Sequence, residues 1–169
     1  LSPGVHTVTV TATDTAGLFA TDRVTVQINT PPTAPVVHIE PADPLTGDDL
    51  VVVIDTPSTD VEGDPVSYIY LWTVDSADLG AGSVDRVDDT YTAKGQRWAV
   101  TVTPTDGVHE GLAATDTVTI LNSVPSLIAA TLTPDPATVS DTLTCEGIGF
   151  TDVDGDDDLS IVLWLVDGF

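Results

Sequence analysis

The sequence predicts an all-β chain built from tandem β-sandwich modules. Two motifs recur with an offset of 92 residues: Asp60-Val61-Glu62-Gly63-Asp64 returns as Asp152-Val153-Asp154-Gly155-Asp156, and Leu71-Trp72-Thr73-Val74-Asp75 returns as Leu163-Trp164-Leu165-Val166-Asp167. Val and Thr alternate with the period of two that is typical of strands. No window combines helical apolar spacing with capping residues, so we expect no α-helix.

The repeat divides the chain into three parts: 1–30 is the C-terminal part of one module, 31–123 is a complete module, and 124–169 is the N-terminal part of a third. Proline-containing segments at 30–35 and 122–125 predict short linkers between them. Alternation predicts strands at 5–13 and 21–28 in the first part. Such a period indicates an array, in which function is usually distributed or mechanical.

The complete module predicts seven strands separated by turns rich in Gly, Pro and Asp: 36–40, 49–55, 66–74, 78–84, 86–92, 97–103 and 115–121. Seven short strands in about 90 residues indicate an immunoglobulin-like sandwich. Trp72 and its equivalent Trp164 are expected in the cores of their modules. Ile69 and Leu71 give their strand a second apolar face, which either neighbouring strands and loops or another chain must cover.

Strong acidity limits the partners. Four Lys and Arg against 27 Asp and Glu give a net charge of −23, so we expect neither nucleic acid nor an anionic membrane surface as a partner. Divalent cations match such a surface, and solubility or salt adaptation is the alternative explanation. The chain is 41% hydrophobic and is therefore expected to fold. No apolar run approaches the length of about 18 residues that indicates a membrane span.

A lone cysteine and scattered histidines offer little for catalysis. Cys145 aligns with Val52, so we expect a small buried hydrophobe there, with a bridge to a cysteine outside this stretch as the alternative. His6, His38 and His109 occupy dissimilar contexts, and no motif places one beside a nucleophile and an orienting carboxylate. We therefore expect a protein that is not an enzyme.

One stretch carries a family resemblance. Asp60-Val61-Glu62-Gly63-Asp64-Pro65-Val66-Ser67-Tyr68 leads to Trp72, and Gly95 precedes Trp98-Ala99-Val100-Thr101-Val102 and Asp106. This arrangement resembles the bacterial polycystic-kidney-disease-type (PKD) module, and it is similar more broadly to cadherin-like and bacterial immunoglobulin-like repeats. The resemblance implies an extracellular or cell-surface array of sandwich modules.

The acidic loops are the candidate metal sites. Carboxylates alternate around a glycine in the third module: Asp152, Asp154, Asp156 and Asp158 around Gly155. This spacing lets several carboxylates converge on one hard cation such as Ca²⁺. An EF-hand is excluded, because Asp157 and Leu163 stand where its glycine and its bidentate glutamate should be. An Asp-Gly turn without a metal is the alternative.

Sandwich geometry places these loops at module junctions. The loops after the second and sixth strands lie at the end where the preceding linker enters. The candidate ligands at the first junction are therefore Asn29, Asp60, Glu62, Asp64 and Asp106. By the same geometry, the third module's loop lies beside Asn122. Calcium bridging loop and linker would lock the angle between modules, and without it the carboxylates would repel one another and loosen the junction.

The sequence therefore predicts a structural repeat of an extracellular or cell-surface protein, a stalk or fibre with calcium-stiffened junctions. Its partners would be adjacent modules of the same chain and, in a fibre, other copies of itself. The alternative is a carbohydrate- or protein-binding accessory or adhesin module attached to an exported enzyme or surface protein, which predicts solvent-facing aromatic side chains on a sheet. A further hypothesis is that neighbouring chains complete each other's partial modules by strand addition, and trimming of a longer protein is the plainer one.

Overall fold

The computed structural model describes residues 1–82 and 84–165, with the backbone alone at 80–82, so Val166 and Asp167 of the second repeated motif lie outside the described residues. Within them there is no α-helix, and no helix is long and apolar enough to cross a membrane. The strands are β1 Gly4–Thr13, β2 Phe19–Ile28, β3 Val36–Glu40, β4 Leu50–Thr56, β5 Ser67–Val74, β6 Ala77–Gly82, β7 Arg86–Val87, β8 Arg97–Thr105, β9 Ala114–Thr119, β10 Ala129–Thr133 and β11 Thr144–Ile148. The all-β prediction is confirmed.

Strands β3 to β9 form the sandwich of the complete module. Its two antiparallel sheets have the orders β3-β4-β7 and β6-β5-β8-β9. β5 pairs with β8 along its whole length, from Ser67 opposite Thr105 to Val74 opposite Trp98. The predicted seven-strand, immunoglobulin-like arrangement is confirmed in the described residues.

The hydrophobic core lies between these two sheets. Trp72 and Trp98 meet edge to face, with ring centroids 6.3 Å apart and planes at 75°, a favoured aromatic geometry. The expected burial of Trp72 is thus confirmed. Prolines apart, the buried hydrophobic side chains of the described residues all belong to this module: Ile39, Leu50, Val52, Trp72, Val87, Trp98, Val100, Val102, Val118 and Ile120.

The predicted strand at 86–92 is wrong beyond Val87. Asp88 caps a short 3₁₀ helix, Asp89–Tyr91, by accepting hydrogen bonds from the Thr90 N–H at 3.1 Å and the Thr90 hydroxyl at 2.7 Å. Asp and Thr side chains offer the backbone local partners that compete with a strand ladder. The alternation of apolar residues was too weak to outweigh them.

Segments 1–30 and 124–165 each contain one two-stranded sheet, β1-β2 and β10-β11. Trp164 is 53% exposed, so its expected core position is wrong: residues 159–165 form no strand, and no described sheet covers β10-β11. Cys145 is half-buried and unpaired rather than fully buried. Ile69 and Leu71 are also half-buried, in a strand flanked by β6 and β8.

Candidate metal sites at the module junctions

The acidic loop of the complete module is shaped by its first carboxylate. Asp60 Oδ1 accepts hydrogen bonds from the N–H groups of Glu62 at 2.9 Å and Asp64 at 3.1 Å. Gly63 has φ 82°, a left-handed conformation that glycine adopts without steric cost, and its N–H donates to the Asp60 carbonyl. One oxygen of Asp60 therefore holds the loop, and the other is left for a different partner.

The loop of the third module repeats this arrangement. Asp152 Oδ1 accepts from the N–H groups of Asp154 at 2.8 Å and Asp156 at 3.3 Å, and Gly155 has φ 76°. The repeat seen in the sequence is therefore also a repeat of hydrogen bonds. In both loops the second oxygen of the first aspartate, Asp60 Oδ2 or Asp152 Oδ2, is buried without a hydrogen-bond partner.

At the first junction, the residues that follow β2 reach the complete module. Asn29 Nδ2 donates to Asp106 Oδ2 at 2.7 Å and lies 2.9 Å from His109 Nδ1, and the Thr30 hydroxyl donates to Glu62 Oε2 at 2.8 Å. The His109 N–H and then the Asn29 amide hold the pKa of Asp106 below its ordinary value. The structure thus places Asn29 against one predicted acidic residue and Thr30 against another.

The linker itself packs closely on this end of the sandwich. The Thr33 N–H donates to the Thr59 carbonyl at 2.9 Å. A Cβ atom on Gly111 would lie 2.2 Å from the Pro32 carbonyl oxygen, a distance that van der Waals repulsion forbids. The first junction is therefore built from backbone contacts as well as from polar side chains.

At the second junction, the contacts come from Ser123 and from the preceding module. The Ser123 N–H donates to Asp154 Oδ2 at 2.6 Å, and Lys94 Nζ donates to both oxygens of Asp156 at 2.7 and 2.8 Å. The Thr46 hydroxyl, followed by the Ser123 N–H and Lys94, lowers the pKa of Asp154. The Thr46 hydroxyl lies beside this carboxylate, but it makes no hydrogen bond of ordinary geometry.

Two of the predicted ligands at this junction stand apart. The Asn122 side chain donates to the Ser123 carbonyl at 2.7 Å, and among the described hydrogen bonds it makes none to the acidic loop. Asp158 Oδ1 accepts from the Ser160 N–H at 2.8 Å, and this carboxylate is not part of the close acidic group described below. The structure therefore brings together Asp152, Asp154 and Asp156.

Buried oxygen atoms without hydrogen-bond partners lie at both junctions. They are Asn29 Oδ1, Asp60 Oδ2 and Glu62 Oε1 at the first, and Asp152 Oδ2, Asp154 Oδ1 and the Thr46 hydroxyl at the second. A buried polar atom without a partner is costly, and native structures contain few of them. Carboxylate and amide oxygens are the ligands that Ca²⁺ prefers. The residues present therefore fit a hard cation.

The second junction is the more compact of the two. Carboxylate oxygens of Asp152, Asp154 and Asp156 all lie within 4.8 Å of one another, a condition that Asp60, Glu62 and Asp64 do not meet. Ca²⁺ binds oxygens at about 2.3–2.6 Å, so two ligand oxygens of one ion lie at most about 5 Å apart. An open depression lined in part by Pro125 and Phe150 reaches Asp152 and Asp156 from solvent.

A second close acidic group, Asp49, Asp88 and Asp89, has partners of its own. Arg86 forms a salt bridge with Asp49, whose other oxygen accepts from the Asp89 N–H at 2.9 Å. A hydrogen bond with Asp88 raises the pKa of Asp89, while the hydroxyl and N–H of Thr90 lower that of Asp88. These contacts fasten the 3₁₀ helix to the start of β4.

The sequence did not identify Thr30, Ser123 or Lys94 as candidate site residues. A signal for the first two was present, because each directly follows the nominated Asn29 or Asn122 and carries a hydroxyl. No comparable signal existed for Lys94. Its contact depends on how the complete module meets the next one, which the spacing of residues along the chain does not encode.

No protein-family model and no curated protein matches the sequence. Among solved structures, the chain is similar to the rat CD45 extracellular region, domains d3-d4, with a TM-score of 0.46 and 14% sequence identity. The alignment covers 70% of this chain, and the chain spans 65% of that one. The resemblance to PKD-type modules stays a prediction.

Proposed function

We propose that this chain is part of a structural array in an extracellular or cell-surface protein, in which a calcium ion at each module junction fixes the angle between neighbouring sandwiches. One observation carries the proposal. At both junctions an acidic loop hydrogen-bonds a residue of the incoming linker and also holds buried carboxylate oxygens without partners. Ligands from loop and linker around one ion would join the two modules.

The chemistry of the ligand set favours calcium over other common ions. The available ligands are carboxylate, amide and hydroxyl oxygens, without a cysteine and with one histidine nitrogen near the first junction. Hard oxygen ligands select Ca²⁺ or Mg²⁺ rather than Zn²⁺ or Cu²⁺. Mg²⁺ demands near-ideal octahedral geometry and keeps several waters, whereas Ca²⁺ accepts irregular sets such as a loop and a linker provide.

Features of the whole sequence support the surface location and the structural role. The repeat, the net charge of −23 and the resemblance to surface modules support them. A role without catalysis belongs to the same proposal. The histidines lie in separate places, with His6 bonded to the Ser2 carbonyl, His38 to Asp55 and His109 to Asn29.

The test is to measure thermal unfolding, particle dimensions and ion binding with calcium and with a chelator. One ion at a hundredfold excess over its Kd stabilises the bound form by about 2.7 kcal/mol. For a module of this size that corresponds to a rise in Tm of about 10–20 °C. X-ray scattering should show a narrower range of particle lengths with calcium, and calorimetry should detect a calcium site.

Matched variants assign the effect to a junction. Changing Asp152 and Asp154 to Asn removes two candidate ligands at the second junction and should abolish its calcium site. Changing Asp85 and Asp135 to Asn removes the same charge at exposed positions that bond neither acidic loop and should leave calcium binding intact. Equal melting and equal dimensions in calcium and chelator would contradict the proposal, as would equal losses in both variants.

The alternative of a carbohydrate- or protein-binding accessory module stays a prediction. It required aromatic side chains grouped on a solvent-facing sheet. The strongly exposed aromatics among the described residues are Phe19, Tyr91 and Trp164, which lie in three different parts of the chain. No observation favours this alternative over the structural role.

A further inference from the structure

A basic residue of the complete module reaches the acidic loop of the third module. Lys94 Nζ donates to both oxygens of Asp156, at 2.7 and 2.8 Å. Asp156 belongs to a group of three carboxylates, with Asp152 and Asp154, whose oxygens lie within 4.8 Å of one another. The hydrogen bond with Asp156 raises the pKa of Lys94, and the charges of Asp154 and Asp152 add to this rise. The ammonium group therefore acts as a cation toward the whole acidic group.

This contact distinguishes the second junction from the first. At the offset of 92 residues that relates Val8 to Val100, Lys94 is equivalent to Ser2, which carries no cationic group. Asp156 is equivalent to Asp64 of the complete module, and among the described residues no salt bridge is made to Asp64. The chain therefore contains two versions of one junction, one with an ammonium group on its acidic loop and one without.

The ammonium group occupies oxygens that a metal ion would need. Ca²⁺ binds about six to eight oxygen ligands. The buried carboxylate oxygens without partners at this junction are Asp152 Oδ2 and Asp154 Oδ1, whereas both oxygens of Asp156 bond Lys94. An ion that takes Asp156 as its third carboxylate ligand replaces the ammonium group on at least one oxygen. The ion and Lys94 then lie a few ångströms apart, and two positive charges at that distance repel.

We propose that Lys94 is an intramolecular substitute for calcium at the second junction: its ammonium group holds Asp156 when no ion is bound, and calcium displaces it from that carboxylate. This role rests on the calcium site proposed above and adds a competitor that the chain itself carries. Lys94 lowers the calcium affinity of the second junction, and it keeps the complete module joined to the third in the absence of calcium. In the described residues the first junction has no such substitute.

The pair is exposed enough for an ion to replace Lys94. The side chains of Lys94 and Asp156 are 42% and 44% exposed. Salt bridges between exposed side chains contribute little to stability unless several charges form a network. An open depression lined in part by Pro125 and Phe150 reaches Asp156 from solvent. Calcium can therefore approach this carboxylate from water while the ammonium group moves out into water.

Calorimetric titration of K94M with calcium tests the competition. The site of the second junction is identified as the calcium uptake that disappears when Asp152 and Asp154 are both changed to Asn. K94M removes the ammonium group and keeps an unbranched side chain. We expect this site to bind calcium about tenfold more tightly in K94M, because no neighbouring positive charge competes with the ion or repels it. K94R keeps the charge and should bind calcium about as tightly as the unchanged protein.

A charge-matched variant separates the local contact from the net charge of the chain. R23M removes one positive charge from an exposed position in the middle of β2. It should leave the calcium affinity of the second junction unchanged. An equal rise in affinity in R23M and K94M would show that the net charge alone decides, and it would overturn the proposal.

X-ray scattering in chelator tests the second half of the proposal. Without calcium, K94M should show a wider range of particle lengths than the unchanged protein, because Asp156 has lost its partner from the complete module. Saturating calcium should make the two proteins alike, since the ion then joins loop and linker in both. Equal ranges of length in chelator would contradict the role of Lys94 as a substitute for the ion.

The possible outcomes separate this role of Lys94 from the proposed function. Equal calcium affinity in K94M and the unchanged protein would leave the calcium site standing and remove the competition. Weaker binding by K94M would also overturn the proposal, because Lys94 would then position Asp156 for the ion. If neither protein binds calcium at either junction, the proposed function fails and the role of Lys94 fails with it.

Discussion

Leu50 and Leu143 are a matched pair of the same residue at equivalent positions 93 residues apart. Leu50 begins β4 and is 0% exposed in the core of the complete module, whereas Leu143 directly precedes β11 and is 40% exposed. Truncating each to alanine therefore changes the chain by the same atoms in two environments. We expect L50A to be strongly destabilising and L143A to be nearly neutral.

The magnitude follows from burial and from packing. Removing a leucine side chain beyond Cβ from a packed core loses its transfer free energy and leaves a cavity, at a cost of about 2–5 kcal/mol. For a module of this size such a loss lowers Tm by about 8–40 °C. Truncating Leu143 should cost less than about 1 kcal/mol, because this residue is already 40% exposed to solvent.

Chemical denaturation followed by tryptophan fluorescence measures both variants, since Trp72 and Trp98 lie in the core and report its loss. Similar losses in the two variants would refute the conclusion that stability resides in the complete module. A cost below about 1 kcal/mol for L50A would refute the assignment of Leu50 to a well-packed core.

Two further variants test the first junction and the pH response. G111A should lower the free energy of unfolding by about 1–3 kcal/mol, because the added methyl group overpacks against the Pro32 carbonyl, and it should expose the linker to limited proteolysis. The control G147A meets only the flexible side chain of Leu127 and should be tolerated. Equal Tm values for the two variants would contradict this prediction. Hydrogen bonds to Asp55, the larger cause, and to Glu40 raise the pKa of His38 above 6.5. Protonated His38 therefore contributes its full stabilisation below pH 6.5, and this stabilisation is lost as the pH rises through the pKa of the folded state. H38Q should remove this part of the pH dependence of Tm. Identical pH profiles for H38Q and the unchanged protein would exclude the role of His38.

The fold could be predicted from sequence because its signals are local and repeated. Alternation of apolar and polar residues gave β3, β5 and β8 within a residue or two of their observed bounds. Errors arose where a tertiary condition decided the outcome. Asp88 and Thr90 form a local helix cap where a strand was predicted. Trp164 is exposed because a tryptophan on a sheet is buried only where a second sheet covers it.

The sequence predicted which loops and linkers would meet better than it predicted which atoms would bond there. Sandwich geometry fixes the end at which the acidic loops lie, and this placed Asn29 beside Asp106. It could not tell that Ser123, rather than the side chain of Asn122, reaches the next loop, because that depends on the rotation of one linker residue. Long-range contacts between rigid bodies have no periodic signature in a sequence.

The two junctions balance their negative charge in different ways. At the second, three carboxylates converge and the ammonium group of Lys94 already neutralises one of them. At the first, no Lys or Arg bonds the predicted ligands among the described residues, and Asn29 and Thr30 contribute neutral donors. The two loops therefore share the hydrogen-bonded scaffold set by Asp60 and its equivalent, but the charged residues around them differ. The dependence of each junction on cations is accordingly set by the residues that surround the loop as well as by the loop.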